Sequence, residues 1–187
     1  MKKFLAALFL TGSTLTMGAS FELGLLSPTQ LQTPNSNING VRIGLIWTEN
    51  RNVEGLDLNL IASKKSNFTG LSLGGFYDET TGNFTGVKIP FWGINRVGGN
   101  LTGVQFGSLN MVDRHMLGAQ FGLVNLIGSG EGLQVAAFNK ANSMKGVQFG
   151  FVNYTERLQG IQIGFVNMAK NSQIFEVLPL VNFNLSF

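Results

Sequence analysis

Residues 146–153 read GVQFGFVN, and fourteen residues later 160–167 read GIQIGFVN. The same eight-residue phrase also starts at Gly40, Gly55, Gly70, Gly86, Gly103, Gly118 and Gly132, and a degenerate copy starts at Ile174. Successive starts lie 15, 15, 16, 17, 15, 14, 14, 14 and 14 residues apart, so insertions and deletions collect between phrases. A period this regular constrains the architecture before any single residue does, because each unit must bury part of itself against its neighbours.

With the leading glycine as position 0, positions 1, 3 and 5 are nearly all apolar: Val147, Phe149 and Phe151, then Ile161, Ile163 and Phe165. Positions 0, 2 and 4 are small or polar: Gly146, Gln148 and Gly150, then Gly160, Gln162 and Gly164. Alternation with period two marks a strand with one apolar and one non-apolar face. A helix would carry Gly, Gly and Asn on the stripe it buries, which stabilises nothing. The polar stretches between phrases, such as 63–67, 79–83, 155–157 and 169–172, suit hairpin connections of three to five residues. An even spacing keeps side-chain parity from strand to strand. The class expected is all-β, with about ten to twelve short strands.

Composition narrows the setting. Only 12% of the residues are charged, while Gly (25) and Phe (16) are abundant, a balance unlike that of a soluble enzyme. Residues 1–19 have the form of a signal peptide: Lys2 and Lys3, an apolar run over 4–10, and Gly18, Ala19 and Ser20 as a small-residue cleavage site. Without those two lysines the net charge of +3 falls to +1, so the basic pI indicates no nucleic-acid partner. The absence of cysteine excludes a disulfide framework. Beyond the leader no apolar run is long enough for a membrane helix. Residues 20–39 hold a short strand, FELGLL, and a lead-in loop containing Pro34; the ten-repeat β domain spans 40–187.

The architecture expected first is an antiparallel up-and-down β-barrel in an outer membrane, with apolar positions facing lipid and positions 0, 2 and 4 facing a lumen. Position 2 then forms a lumen ring: Arg42, Asp57, Lys88, Gln105, Gln120, Gln134, Gln148, Gln162 and Glu176, completed by Ser72. Its charges, two of each sign, would form a cross-lumen salt-bridge plug or, in the second reading, a weakly selective constriction. Val181, Phe183, Leu185 and the terminal Phe187 share the apolar parity and resemble the signal by which outer-membrane barrels reach their assembly machinery. Trp47 and Tyr77 fall at position 7, where an interfacial girdle is expected. The implied partners are outer-membrane lipid and that machinery.

One magnitude counts against a barrel: an apolar band of ~25 Å needs about 10 tilted residues, whereas polar residues flank each phrase and leave nearer ~15 Å. The alternative is a β-solenoid, each repeat one coil, with Gln and Asn stacked as ladders. Against it, eight extended residues travel ~26 Å, and the rest of the period must return that distance. The polar remainder would also leave the back wall without a core.

GVQFGFVN, GIQIGFVN, GAQFGLVN and GVQFGSLN resemble the G-L-Q-I-G-L-V-N units of bacterial surface-repeat proteins, which are exported envelope proteins. The likeness runs from Gly40 to Phe187 and is specific for repeats five to nine; Asp57, Asn59, Ser72, Gly75, Lys88 and Pro90 depart from it. It implies envelope location and repeat architecture, and no reaction.

Chemistry-bearing patterns are sparse. His115, the only histidine, follows Asp113 in a polar turn without a nucleophile or second ligand beside it, so it reads as a solvated turn residue. The carboxylates show no metal-ligand spacing, and no cofactor is expected. The glycine-rich run 128–132 lacks the lysine and helix of a phosphate loop and reads as a hairpin turn. Phe106, Phe121, Phe149, Phe151 and Phe165 lack interleaved basic residues, so they are not a base-stacking platform. The function expected is non-enzymatic: a structural or narrow-pore barrel, or alternatively an exported solenoid module binding a protein or glycan partner through a Gln- and Asn-rich ladder face.

Overall fold

The computed structural model describes residues 19–90 and 92–185. Most of the expected signal peptide therefore lies outside the described residues, as does Phe187 of the C-terminal motif. The strands are β1 (Ala19–Leu26), β2 (Thr29–Gln30), β3 (Ile38–Asn59), β4 (Ala62–Gly74), β5 (Tyr77–Thr80), β6 (Phe84–Ile89), β7 (Ile94–Val97), β8 (Leu101–Ala169) and β9 (Val177–Asn184). β8 is one extended segment that winds through the later repeats without interruption.

The pairings from β3 to β8 are parallel, and their offset is the repeat itself. Gly55 pairs Gly70, Gly70 pairs Gly86 and Gly86 pairs Gly103. On the other wall Trp47 pairs Ala62, Ala62 pairs Tyr77, Tyr77 pairs Ile94 and Ile94 pairs Leu109. Each repeat thus lies on the preceding one as a coil of a β-solenoid. The antiparallel barrel is not the fold. Stacking in parallel register puts like on like, which antiparallel hairpins cannot do, since they would set the glycine end of one phrase against the asparagine end of the next. Phe106 stacks on Phe121 at 5.0 Å and Phe151 on Phe165 at 5.5 Å. Trp47 and Tyr77 also stack, at 6.4 Å over the small Ala62 between them, and do not girdle a barrel.

The phrase is not one straight strand, which answers the objection about the return path. In the coil starting at Gly103 the inward residues are Gln105, Asn110 and Val112, then Met116 and Gln120 as the next coil begins. The five-residue step from Gln105 to Asn110 breaks the alternation, so the chain turns a corner over positions 3–6. A second corner falls at Asp113, Arg114 and His115, where the side chains face outward or lie half-buried. Asn110, at an odd position, therefore points inward, and the back wall has a core after all.

The leading glycines sit at the narrowest approach between coils. They have positive φ, 132° at Gly103 and 140° at Gly118. A Cβ on Gly118 would collide with the carbonyl oxygen of Gly103, and one on Gly132 with that of Gly118. Only glycine permits both that backbone and that contact.

The interior holds four stacked columns. Two are apolar: Ile38, Val53, Phe68, Phe84, Leu101 and Met116 at position −2, and Val97, Val112, Ile127, Ala141 and Ala169 on the back wall. The other two are polar and are described below. The degenerate copy at Ile174 does not make a tenth coil. β9 runs antiparallel to the end of β8, with Phe183 opposite Ile161 and Val181 opposite Ile163. It covers the edge that the last coil would otherwise present for further pairing.

Candidate functional site: a sealed polar interior and an apolar outer face

Position 2 builds the first polar column. Arg42, Asp57, Ser72, Lys88, Gln105, Gln120, Gln134, Gln148 and Gln162 are all inside, at 0–1% exposure. They lie one above another along the solenoid axis, so the expected ring around a lumen is a stack within a closed interior. Glu176 does not join them; it is exposed just before β9, because the chain reverses direction there. In place of a lumen, side chains fill the centre.

From Gln105 onward the column is an amide ladder. Each Nε2 donates to the Oε1 of the preceding coil: Gln120 to Gln105 at 2.9 Å, Gln134 to Gln120 at 3.0 Å, and Gln148 to Gln134 and Gln162 to Gln148 at 2.8 Å. A second ladder faces it from position 7. Asn95, Asn110, Asn125, Asn139 and Asn153 each donate an Nδ2 hydrogen to the asparagine of the following coil, over 2.8–3.0 Å. The two ladders therefore run in opposite directions. The asparagine's other hydrogen goes to the position-3 carbonyl of the next coil: Asn110 to Phe121, Asn139 to Phe149 and Asn153 to Ile163. That bond holds the corner where the chain changes wall.

A directed ladder satisfies its interior members and leaves one atom over at an end. Gln105 Nε2, Gln162 Oε1 and Asn95 Oδ1 are buried, lack a partner and each terminate a run; among the described residues Asn50 Nδ2 and Asn59 Nδ2, in the charged N-terminal coils, are the other buried side-chain atoms without one.

The N-terminal coils carry charge in these columns and, at Lys65, in the back-wall column that continues as Val97 and Val112. Arg42 grips Asp57 through Nε and Nη2, both at 2.7 Å. Lys65 bridges Asp57 and Asp78, and Lys88 closes the chain on Asp78 at 2.9 Å. Ser72 donates to Asp78 at 2.7 Å. Lys65 and Lys88 lie over the rings of Phe68 and Phe84, which stack on each other at 4.9 Å. Glu22, buried in β1, accepts from the backbone N–H of Leu31 and Gln32. Three buried cations thus face three buried carboxyls.

Burial by itself pushes the carboxyls up, but Arg42 and Lys65 outweigh it at Asp57 and hold that group well below the usual carboxylate range. At Asp78 burial is likewise overcome, by Lys65 and Lys88, and its pKa falls to about 2. Burial dominates at Lys88, only partly offset by Asp78, and lowers its pKa to about 8. At Glu22 burial also wins over its hydrogen bonds and raises the carboxyl.

There is no lumen for a plug or a constriction, and the buried charges form a chain inside the solenoid instead. Arg42, Asp57 and Lys88 are ion-paired, but through Lys65 and Asp78, which had read as turn residues, and without Glu176. The signal that would have found them is register: once the repeat offset is applied to the wall opposite the glycines, Thr48, Ser63, Asp78, Asn95 and Asn110 occupy one pairing column, and Asn50, Lys65, Thr80, Val97 and Val112 another.

Outside, the solenoid has two unlike faces. Position 1 carries Val41, Leu56, Leu71, Val87, Val104, Ala119, Leu133, Val147 and Ile161, and position 3 carries Ile43, Leu58, Leu73, Ile89, Phe106, Phe121, Val135, Phe149 and Ile163. Every one is apolar and all are at least partly exposed. The corner adds Trp92, Leu123, Phe151 and Phe165, exposed by 60–80%. Val181 and Phe183 of β9 extend this face by one strand, and Leu185 is exposed beyond it. The apolar positions thus point out and the glutamines of position 2 and the asparagines of position 7 point in; the asparagine ladder that does lie outside is a different one, with Asn52 donating to Asn37 at 3.0 Å and Asn67 to Asn52 at 2.9 Å.

The charges form cross-coil pairs: Lys64 with Glu49 at 3.6 Å, Arg96 with Asp113 at 3.0 Å and Lys170 with Glu156 at 3.7 Å on the opposite face and turns, and Lys145 with Glu131 at 3.6 Å on the rim of the apolar face. His115 lies against Ser129, Nδ1 to Oγ at 3.0 Å, while Ser129 donates to the carbonyl of Arg114 at 3.2 Å. The serine hydroxyl thus has two acceptors in reach, the Arg114 carbonyl and the ring nitrogen, and Asp113 is engaged with Arg96. That arrangement is a turn contact. Residues 128–132 belong to β8 and form no hairpin. No group of three or more His, Cys, Asp or Glu side chains suited to a metal ion occurs among the described residues. Comparison of the chain with protein-family models, characterised proteins and solved structures finds no match.

Proposed function

We propose that the chain is an exported, non-enzymatic β-solenoid module of the cell envelope that acts by surface contact, through its apolar face. The observation that carries this reading is the unbroken apolar character of positions 1 and 3 through nine consecutive coils, all exposed to some degree. Contiguous patches of this extent mark contact sites, since monomeric soluble proteins rarely keep them open. Export and envelope location rest on the leader-like N-terminal segment and on the likeness of the repeats to bacterial surface-repeat units. The sealed interior favours contact over conduction.

Cell fractionation tests the reading. The expected result is an exported protein that alkaline carbonate releases without detergent and whose gel mobility does not change on boiling. Retention in the outer membrane until detergent is added, with heat-modifiable mobility, would overturn it in favour of an integral barrel.

A further inference from the structure

We infer that the occupant of the apolar face is a second copy of this chain, the two solenoids packing wall to wall about a two-fold axis. This rests on the surface-contact reading above and gives it a partner. Three observations point the same way.

Size is the first. Nine coils at ~4.8 Å make the face about 43 Å long, and positions −1 to 3, the wall before the corner together with its rim, make it about 17 Å wide. Pairing two such faces removes roughly 1,400 Å² from water, within the range of specific, stable interfaces.

Shape is the second. In-register parallel stacking sets each outward side chain on its counterpart in the next coil, and Phe106 and Phe121 stack with their rings 13° apart, so the wall presents continuous apolar columns. Two apolar sheets pack face to face at about 10 Å, as in the core of a sandwich.

Charge is the third. No charged side chain occurs at position 1 or 3, so a two-fold axis brings no like charges together. Along the adjoining edge, position −1 supplies Glu54, Glu131 and Lys145 among neutral residues. A lipid surface would need a basic rim as a second anchoring signal, and this edge carries more acid than base.

Sedimentation velocity of the whole folded protein in detergent-free buffer, at micromolar concentration, tests the inference. The wild type is expected to run as a dimer. Phe149→Asp, at a side chain that is 51% exposed, is expected to run as a monomer with an unchanged circular dichroism spectrum, its dimer affinity lowered at least about tenfold. Val104→Lys in the central coil provides a second disruption should the first variant fold poorly. Lys170→Ala, on the charged face, should leave the dimer intact. A monomeric wild type, or a Phe149→Asp protein that stays dimeric, overturns the proposal. Flotation with neutral phosphatidylcholine vesicles then separates the failures. A monomer that floats, and ceases to float as Phe149→Asp, assigns the face to lipid and leaves the surface-contact reading standing; a monomer that does not float overturns both.

Discussion

The first coils and the last coils of this solenoid fill the same interior column in two different ways. Between Arg42 and Lys88 it holds an arginine, an aspartate, a serine and a lysine, tied across the coil to Lys65 and Asp78. From Gln105 to Gln162 it holds one amide five times over. An amide both donates and accepts, so each glutamine satisfies the next whatever the length of the run. The charged stack has no such translational freedom: each cation needs a carboxylate beside it, on the next coil or across the interior, and every member depends on particular neighbours. The amide half is neutral and indifferent to pH, whereas the charged half is balanced only while its groups keep their ionisation states. The period is also irregular where the column is charged, with spacings up to 17, and settles to 14 where it is amide. We have no physical account of that correlation.

The largest expected effect lies in the charged half. Asp57→Ala leaves Arg42 without its bidentate partner and Lys65 with one carboxylate instead of two. Breaking a buried pair in this way costs about 3–5 kcal/mol. Urea denaturation read by circular dichroism measures it, and a loss below about 1 kcal/mol would mean that water reaches these coils. Gln134→Leu is the matched break in the amide half. It leaves the Gln148 donor and the Gln120 acceptor unsatisfied, at about 2–3 kcal/mol, and a cost as large as that of Asp57→Ala would erase the distinction between the halves.

The pH response sharpens the comparison. Asp78 titrates at about 2 in the fold against an ordinary 3.8. Between those values the unfolded chain binds the extra proton, so this contribution is present above 3.8 and is lost as pH falls toward 2. Lys88 titrates at about 8 against an ordinary 10.5. The unfolded chain again holds the extra proton between them, so stability rises with pH across that window, by up to about 3 kcal/mol. Lys88→Met should flatten the alkaline rise and weaken the acid fall without abolishing it, since Asp78 keeps Lys65. Denaturation curves collected from acid to alkaline pH check both limbs, and an alkaline rise that persists in the variant would assign it elsewhere.

The smallest effect belongs to the outer face. Lys145 and Glu131 sit 3.6 Å apart with side chains 55% and 48% exposed, the same ion-pair chemistry as inside but in water. Lys145→Ala should change stability by less than about 0.5 kcal/mol, checked by the same denaturation curves. A larger change would show that burial is not what separates the two kinds of pair.

Much of the fold is legible in the residues. The unit from Gly103 to Asn110, its period and its alternation identify a repetitive all-β chain whose position-2 residues share one environment, and Gln105 to Gln162 do share it. Three features are not legible. Asn110, Asn125 and Asn139 sit at an odd position and read as the polar end of an outward strand; the corner over positions 3–6 turns them in. Lys65 and Asp78 lie in stretches polar enough to pass for turns, and only the wall-to-wall register makes them partners of Asp57 and Lys88. Glu176 has the right offset, yet the chain reverses direction at that point.

The sequence by itself determined a β-structure of short repeats, with one apolar and one polar face to each phrase, because period-two alternation and a recurring glycine leave a helix nothing to bury. Which face turned inward, and whether neighbouring repeats ran parallel, was decided only by the tertiary structure. Glutamine, asparagine and a balanced set of charges can be buried when parallel coils place each against its complement one strand spacing away. That satisfaction passes between repeats, and no single repeat contains it.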